Sequence, residues 1–406
     1  RVTRAVLVLN SPKPAAGGIN IVKGFKVLTP WTDGKTWWNN WGSGGSDPGY
    51  VDDAVLCSAK VGTIGNTYFV MDVAGVQKWI DQPETNHGLM LKSDRNDDGF
   101  HFWADGDTDA KAMELAQRSL DINPTNAVAC HSMTHVHFER GDASGGEDFL
   151  DAWLRSFDAP ASSYVHLSWH LALFELAQGK YQETLDRYEK YIRPSVVAKS
   201  MSTLNDSASL MWRLQMYCGG PAPKPWEEVL TIAAPAAERP GAAFRDAHAA
   251  LAFAGGGDHE AMAKITSRLR KSAEEGNSFA REVVLPLVQG IEAFANEDYT
   301  ESVRLMEPVF PQLVRVGGSH AQREVFEDTM LEAYIRAEQF EKAEDMLRGR
   351  LKQRESVRDN FWMGRVQSAQ GQSNQAHSSF NEATKGWEAA DSTAPEIVAL
   401  NNLMEV

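Results

Sequence analysis

The chain has 406 residues, of which 43% are hydrophobic and 23% charged, a composition typical of globular proteins with two or more domains. Its net charge is −15 at pH 7. Residues 1–100 carry equal numbers of basic and acidic side chains, so the acidic excess lies in residues 101–406 and argues against nucleic acid or an anionic membrane as a partner there. No run of apolar residues is long enough to predict a membrane span.

Residues 1–104 predict a small β-sandwich or jelly roll. Short β-prone segments, such as residues 5–9, 24–28 and 67–72, alternate with clusters of Gly, Pro, Asn and Ser. Four tryptophans in this segment could form a platform for sugar rings, and the alternative is that they fill the core. They are Trp31, Trp37, Trp38 and Trp41.

Three stretches of this segment match a known family: residues 31–37 (WTDGKTW), residues 69–79 (FVMDVAGVQKW) and residues 86–92 (NHGLMLK). They resemble the DNRLRE family of extracellular modules, which overlaps a carbohydrate-binding family. The resemblance implies a secreted β-sandwich that binds polysaccharide. The family's opening strands have no counterpart here, so we expect a truncated module.

Residues 94–105 fit the spacing of a calcium loop. Asp94, Asn96, Asp98 and Gly99 follow the D-x-N-x-D-G pattern, and Asp105 stands at the twelfth position. A tight hairpin turn is the favoured alternative, because clusters of Asp, Asn and Gly also form turns and neither flank predicts a helix.

Residues 105–406 predict an α-helical solenoid of about seven hairpins. Amphipathic helices alternate with short breaks, whose third residues stand at positions 143, 181, 259, 299, 340 and 373. One spacing covers two periods, and Trp226 marks the missing break. This period is typical of tetratricopeptide-type repeats, in which the helix before each break lines the inner wall of the superhelix.

Five further stretches occur in the order that a second family shows: residues 127–136 (AVACHSMTHV), 166–174 (HLSWHLALF), 204–214 (LNDSASLMWRL), 244–249 (FRDAHA) and 317–324 (GGSHAQRE). They resemble the tetratricopeptide repeat protein 38-like family. The resemblance implies an intracellular helical-repeat fold and no particular reaction. Residues 109–121 predict a second hairpin helix without a first, so we expect a fusion or an assembled fragment.

Polar side chains recur on the inner helices about once per repeat, so we expect them to line one concave groove. These side chains are His131, His135, His166, His170, Asp206, Arg213, Arg245, Asp246, His248, Arg281, Glu282, His320, Gln322 and Arg323.

The histidine pairs allow two interpretations. His131 with His135 and His166 with His170 could give a metal up to four imidazoles. The favoured interpretation is that these rings stack and hydrogen-bond within the wall, since a match in spacing alone is common. The arginines likewise could bind an anion or bridge neighbouring carboxylates.

The sequence therefore predicts a binding protein that holds a small anionic ligand or a peptide in the groove. One alternative is an enzyme, such as a metal-dependent hydrolase, that uses the same residues, although no nucleophile motif supports one. Another is polysaccharide binding by the β module.

Apart from the metal alternative and calcium near Asp94, no cofactor is expected. Cys57, Cys130 and Cys218 indicate buried thiols, which favours the cytoplasm for the helical part, whereas the β module favours an extracellular location.

Overall fold

The computed structural model describes residues 6–11, 20–27, 51–61, 65–82, 89–93, 109–156, 162–218 and 226–404. The chain divides into two units, Arg1–Gly106 and Asp107–Val406. The four tryptophans of the proposed sugar platform and the calcium-loop residues 94–105 lie outside the described residues. Within the described ranges, no helix is both long and apolar enough to cross a membrane.

The first unit contains one antiparallel sheet with the strand order β1-β4-β3-β2-β5. Its strands are β1 Val6–Ser11, β2 Asn20–Val27, β3 Val51–Val61, β4 Gly65–Met71 and β5 Leu89–Ser93. A helix that the sequence did not predict, α1 Val73–Asp81, lies between β4 and β5 and begins after Asp72, whose carboxylate accepts the Gly75 N–H at 2.7 Å. The described strands form one sheet, so the two-layered sandwich stays a prediction.

The second unit is an array of antiparallel helical hairpins, which confirms the predicted α-helical repeat fold. Some helices continue through irregular turns: a π-helical turn joins α6 to α7, another precedes α12, and α13 runs on as a 3₁₀-helix. The helices are α2 Asp109–Ile122, α3 Ala127–Arg140, α4 Ala143–Ser156, α5 Ser162–Ala177, α6 Tyr181–Arg187, α7 Arg193–Val197, α8 Leu204–Cys218, α9 Trp226–Glu238, α10 Ala243–Gly256, α11 His259–Glu274, α12 Leu285–Ala295, α13 Tyr299–Met306, α14 His320–Arg336, α15 Phe340–Gln353, α16 Val357–Ala369, α17 Ser373–Gly386 and α18 Pro395–Met404.

The outer helices of the hairpins begin at the residues that the breaks predicted. Helices α4, α6, α9, α11, α13, α15 and α17 start at positions 143, 181, 226, 259, 299, 340 and 373. The backbone is left-handed at the first residue of six breaks, with φ from +56° to +75°. Four of these residues are glycines, which adopt this conformation without strain, and two are Glu297 and Glu338.

Glu338 is a candidate for a stabilising substitution, because an exposed glutamate at φ +56° strains the backbone. We expect Glu338→Gly to raise the free energy of unfolding by about 0.5–1 kcal/mol in a urea titration. Glu338→Ala is the matched control, since it removes the charge and keeps the Cβ atom. An equal gain in both variants would show that charge, and not backbone strain, is responsible.

The last hairpins return to the first ones, so the superhelix closes around its own axis. On α16, Arg358 donates a hydrogen bond to the carbonyl of Leu176 at 2.8 Å. At the end of α17, the Trp387 ring N–H donates to the carbonyl of Ala177 at 3.0 Å. Helix α14 also packs on α8. As a result, several charged side chains of the inner helices are buried inside the array. The buried charged side chains include Asp206, Arg213, Asp246, Asp328 and Asp359.

Candidate metal centre

Four histidine rings on two adjacent inner helices turn the same nitrogen toward one another. Helix α3 supplies His131 and His135, and α5 supplies His166 and His170. The Nε2 atom of His131 lies 3.0 Å from that of His135, 3.1 Å from that of His170 and 3.2 Å from that of His166. Ligating nitrogens of His131, His166 and His170 all lie within 4.8 Å of one another. The rings therefore form one cluster, here called the histidine cluster.

The local sequence explains how α3 holds its two rings in place. The Asn126 side chain accepts the N–H groups of Val128 and Ala129, which fixes the first turn of the helix. Gly141 ends the helix in the left-handed conformation. Since four residues separate the two histidines of α3, both point to the same side of the helix, which is the side that faces α5.

Hydrogen bonding alone does not account for the histidine cluster. An imidazole nitrogen carries either one proton or one in-plane lone pair, so the Nε2 atom of His131 can make one good hydrogen bond. Three other Nε2 atoms nevertheless lie within 3.2 Å of it. A cation between the rings would engage several lone pairs at once, which favours a metal over the stacked, hydrogen-bonded arrangement.

The spacing fits a small transition metal. Four nitrogens at 2.0–2.1 Å from a tetrahedral zinc ion would lie roughly 3.3 Å from one another. The three separations measured from His131 are 3.0–3.2 Å, close to this value, and the nitrogens of His131, His166 and His170 all lie within 4.8 Å of one another. A set made only of imidazoles suits zinc, copper, nickel or iron, whereas magnesium and calcium prefer oxygen ligands.

Burial keeps most of these rings neutral, which is the form that binds metal. Burial, together with the neighbouring His135 and His166, lowers the pKa of His131 to about 3. Burial and His166 lower the pKa of His135 to about 4, and burial places the pKa of His170 well below its ordinary value. The Nδ1 atom of His170 is buried without a hydrogen-bond partner among the described residues, so its Nε2 atom makes the ring's polar contact.

Asp206 on α8 orients one ring of the cluster. Its carboxylate oxygens lie 3.0 and 3.1 Å from Nδ1 of His166, and its side chain is 5% exposed. Burial by itself lowers the pKa of His166, but Asp206 outweighs this effect and raises it. When the Nδ1–H donates to Asp206, the lone pair of Nε2 points into the cluster, as in the carboxylate–histidine pairs of many metal sites. Trp169 stacks on the same ring, with centroids 5.3 Å apart, and further fixes its plane.

A second group of charged residues lies beside the histidine cluster. His320 at the start of α14 contacts Glu139 on α3 at 2.9 Å and lies 3.7 Å from Glu327. Burial by itself lowers the pKa of His320, but these two carboxylates outweigh it and raise the pKa to about 9. Glu139 follows His135 by four residues, so α3 presents both to the same side. The contact links the hairpin that begins with α3 to the one that begins with α14, and it helps to close the superhelix.

This contact predicts a specific pH dependence. Because the pKa of His320 is higher in the folded chain than its ordinary 6.5, its contribution to stability is complete below pH 6.5 and is lost as the pH rises through about 9. Between pH 6.5 and 9.5, we expect the free energy of unfolding of the wild type to fall by about 1–3 kcal/mol more than that of His320→Gln. Urea titrations at each pH measure both values. His377→Gln is the control, since that ring is exposed on α17. Parallel curves for the wild type and His320→Gln would contradict the assigned ion pair.

The other predicted groove residues do not join the histidine cluster, because partners in the wall hold them. Arg245 pairs with Asp246 at 3.0 Å, and Arg281 pairs with Glu282 at 2.9 Å on an exposed surface. The remaining residues bond to nearby backbone or cap a helix. These are Arg213 to the Ala321 carbonyl, His248 to the Phe244 carbonyl, Arg323 to the Gly318 carbonyl, and Gln322 in the capping box of α14. These residues are thus held by separate contacts, and a single groove lined by all of them stays a prediction.

Several residues of the helical unit that make buried or partly buried polar contacts were not predicted from the sequence. Glu139 had a usable signal, because it continues the spacing of four residues set by His131 and His135 on α3. Arg350, Arg354 and Arg358 have the same spacing, but Arg350 lies on α15 and Arg358 on α16. Their spacing in the sequence therefore does not place them on one face of a single helix. Arg354 donates to the Phe138 carbonyl and Arg358 to the Leu176 carbonyl, and both of these partners lie far away in the sequence.

Two solved structures are distantly similar to this chain. No protein-family model matches the chain. A tetratricopeptide repeat protein from Parabacteroides merdae is 17% identical over 73% of this chain and 100% of its own, with a TM-score of 0.34. Yeast Tom70 is 13% identical over 73% of this chain and 58% of its own, with a TM-score of 0.39. These values are too low to carry a function from either protein to this chain.

Proposed function

We propose that the helical unit binds one divalent transition-metal ion, of the zinc class, in the histidine cluster. The observation that carries the proposal is the approach of three imidazole Nε2 atoms to within 3.2 Å of the Nε2 atom of His131. The carboxylate of Asp206 behind His166 supports it, since outer carboxylates of this kind hold metal-binding rings in place. His131, His166 and His170 are the core ligands, and His135 is the fourth candidate.

Metal titration of the full chain, purified without a polyhistidine tag, tests the proposal. After removal of metal by a chelator, we expect Zn²⁺ to saturate the protein at about one equivalent per chain. Zn²⁺ at a thousand times its dissociation constant should add about 4 kcal/mol to the free energy of unfolding. Mg²⁺ at the same concentration should have no comparable effect, because it prefers oxygen ligands.

Two results would overturn the metal proposal: no saturable binding of Zn²⁺, Ni²⁺ or Co²⁺ by folded protein, or equal stabilisation by Mg²⁺. His259→Ala is a matched control, because this exposed histidine lies far along the chain from the cluster. We expect that variant to bind Zn²⁺ as the wild type does.

Other functions predicted from the sequence stay predictions. A peptide partner fits the general use of helical repeats as binding surfaces. A small anion in one long inner groove has less support, because the predicted arginines pair with acids or bond to backbone carbonyls. Polysaccharide binding depends on tryptophans that lie outside the described ranges. The resemblances to the DNRLRE family and to the tetratricopeptide repeat protein 38-like family remain to be tested.

A further inference from the structure

Three of the four rings in the histidine cluster form a closer set than all four do together. The ligand nitrogens of His131, His166 and His170 all lie within 4.8 Å of one another. His135 is not a member of this set, although its Nε2 atom lies 3.0 Å from that of His131. A tetrahedral zinc ion needs all of its ligand nitrogens roughly 3.3 Å from one another, so His135 fits such an ion less well than the other three rings do.

The histidine cluster is buried on one side and open to solvent on another. His170 is 1% exposed, and its ring packs against the fully buried Trp169, with centroids 4.7 Å apart. His131, His135 and His166 are all partly exposed, and the side chain of His166 is 26% exposed. A small molecule from solution can therefore reach the side of the cluster where these three rings lie.

His135 occupies a position from which it can hold such a molecule. It follows His131 by four residues on α3 and precedes Glu139 by four, so the three side chains lie along one face of the helix. The Nε2 atom of His135 can donate or accept a hydrogen bond, depending on the tautomer of the ring. It can therefore contact a molecule bound to a metal ion beside His131 without binding the ion itself.

We infer that the metal ion in the histidine cluster binds its fourth ligand from solution, and that this ligand is water or a small monoanion that binds through one atom. His131, His166 and His170 bind the ion, and His135 hydrogen-bonds to the fourth ligand. Three protein ligands and one exchangeable position are typical of catalytic zinc sites, whereas structural sites have four protein ligands. The inference rests on the proposed binding of a metal ion by the cluster.

The charges at the site favour the exchange of water for a monoanion. Neutral imidazole ligands leave both positive charges of the ion uncompensated. Asp206, which lies 3.0 Å from Nδ1 of His166, supplies one negative charge. Glu139 is already paired with His320 at 2.9 Å, so those two charges largely offset each other. A monoanion at the fourth position would supply the second negative charge in direct contact with the ion.

Cobalt substitution tests this inference, because imidazole sites for zinc also bind Co²⁺, and the visible absorption of Co²⁺ changes with its ligands. The full chain, purified without a polyhistidine tag, is loaded with one equivalent of Co²⁺ and titrated with sodium azide. We expect a saturable change in the visible spectrum as azide replaces water. Sodium sulfate at the same ionic strength is the control and should leave the spectrum unchanged, because sulfate is a bulkier dianion.

Two alanine variants at partly exposed histidines separate a ligand from its neighbour. His135→Ala should keep its affinity for Co²⁺ to within about tenfold and weaken azide binding at least about tenfold, since it removes only a hydrogen bond to the fourth ligand. His166→Ala should weaken Co²⁺ binding at least about a hundredfold, because it removes a metal ligand.

The inference fails, and the metal proposal stands, if Co²⁺ binds but azide leaves its spectrum unchanged or sulfate changes it equally. The same holds if folded His135→Ala loses as much affinity for Co²⁺ as folded His166→Ala, since His135 would then be a fourth ligand. If the folded wild type binds no Co²⁺, the metal proposal and the inference both fail. Circular dichroism shows whether each variant is folded, and if one is not, the azide titration of the wild type decides.

Discussion

Gly141→Ala is expected to destabilise the protein by about 3–5 kcal/mol, measured as the free energy of unfolding in urea. Gly141 ends α3 with φ +71°, a conformation that alanine adopts only with strain. An added Cβ atom would also lie 2.1 Å from the carbonyl oxygen of Glu355, which belongs to the segment between α15 and α16. The substitution should therefore push the last hairpins away from the first.

Gly257→Ala is the matched control for this effect. Gly257 ends α10 with the same φ of +71°, and an added Cβ atom there would have no neighbour within 4 Å. We expect a loss of only about 1 kcal/mol, which reports the backbone strain alone. If both variants lost the same stability, the contact between Gly141 and Glu355 would be absent and the superhelix would not close as described.

His131→Ala is expected to weaken zinc binding by at least about a thousandfold, or ~4 kcal/mol. Its Nε2 atom is the one that all three other Nε2 atoms approach, so its loss removes a ligand and the contact that holds the rings together. Competition with a coloured chelator measures the affinity. Asp206→Asn should have a smaller effect, about 10–100-fold, because it changes only the orientation of His166.

His377→Ala controls for non-specific binding to surface histidines, and its affinity should equal that of the wild type. Affinity that was unchanged in His131→Ala would place the metal elsewhere. An equal loss in all three variants would indicate general destabilisation, which circular dichroism of each variant would detect.

The repeat fold was largely predictable because its signals are local. Each break combines a left-handed residue with the start of an amphipathic helix, and these features depend on neighbours within a few residues. The starts of the outer helices at residues such as Tyr181 and Phe340 followed directly from this pattern. The helix α1 was missed because it is short and lies between β-prone segments.

The site was only partly predictable because it depends on how far the superhelix curves. The four-residue spacing of His131 with His135 and of His166 with His170 places each pair on one face of its helix. Whether the two pairs face each other is set by packing between hairpins. The closure, which brings Arg358 to Leu176 across the array, is a long-range property. For this reason the sequence placed the four histidines on inner helices but could not predict that their rings form one cluster.

X-ray absorption spectroscopy at the zinc edge, on tag-free protein loaded with one equivalent of Zn²⁺, tests the histidine cluster most directly. We expect three or four nitrogen ligands at about 2.0–2.1 Å, with the multiple-scattering pattern of imidazole rings. A first shell composed mainly of oxygen, or a spectrum unchanged in His131→Ala, would contradict it.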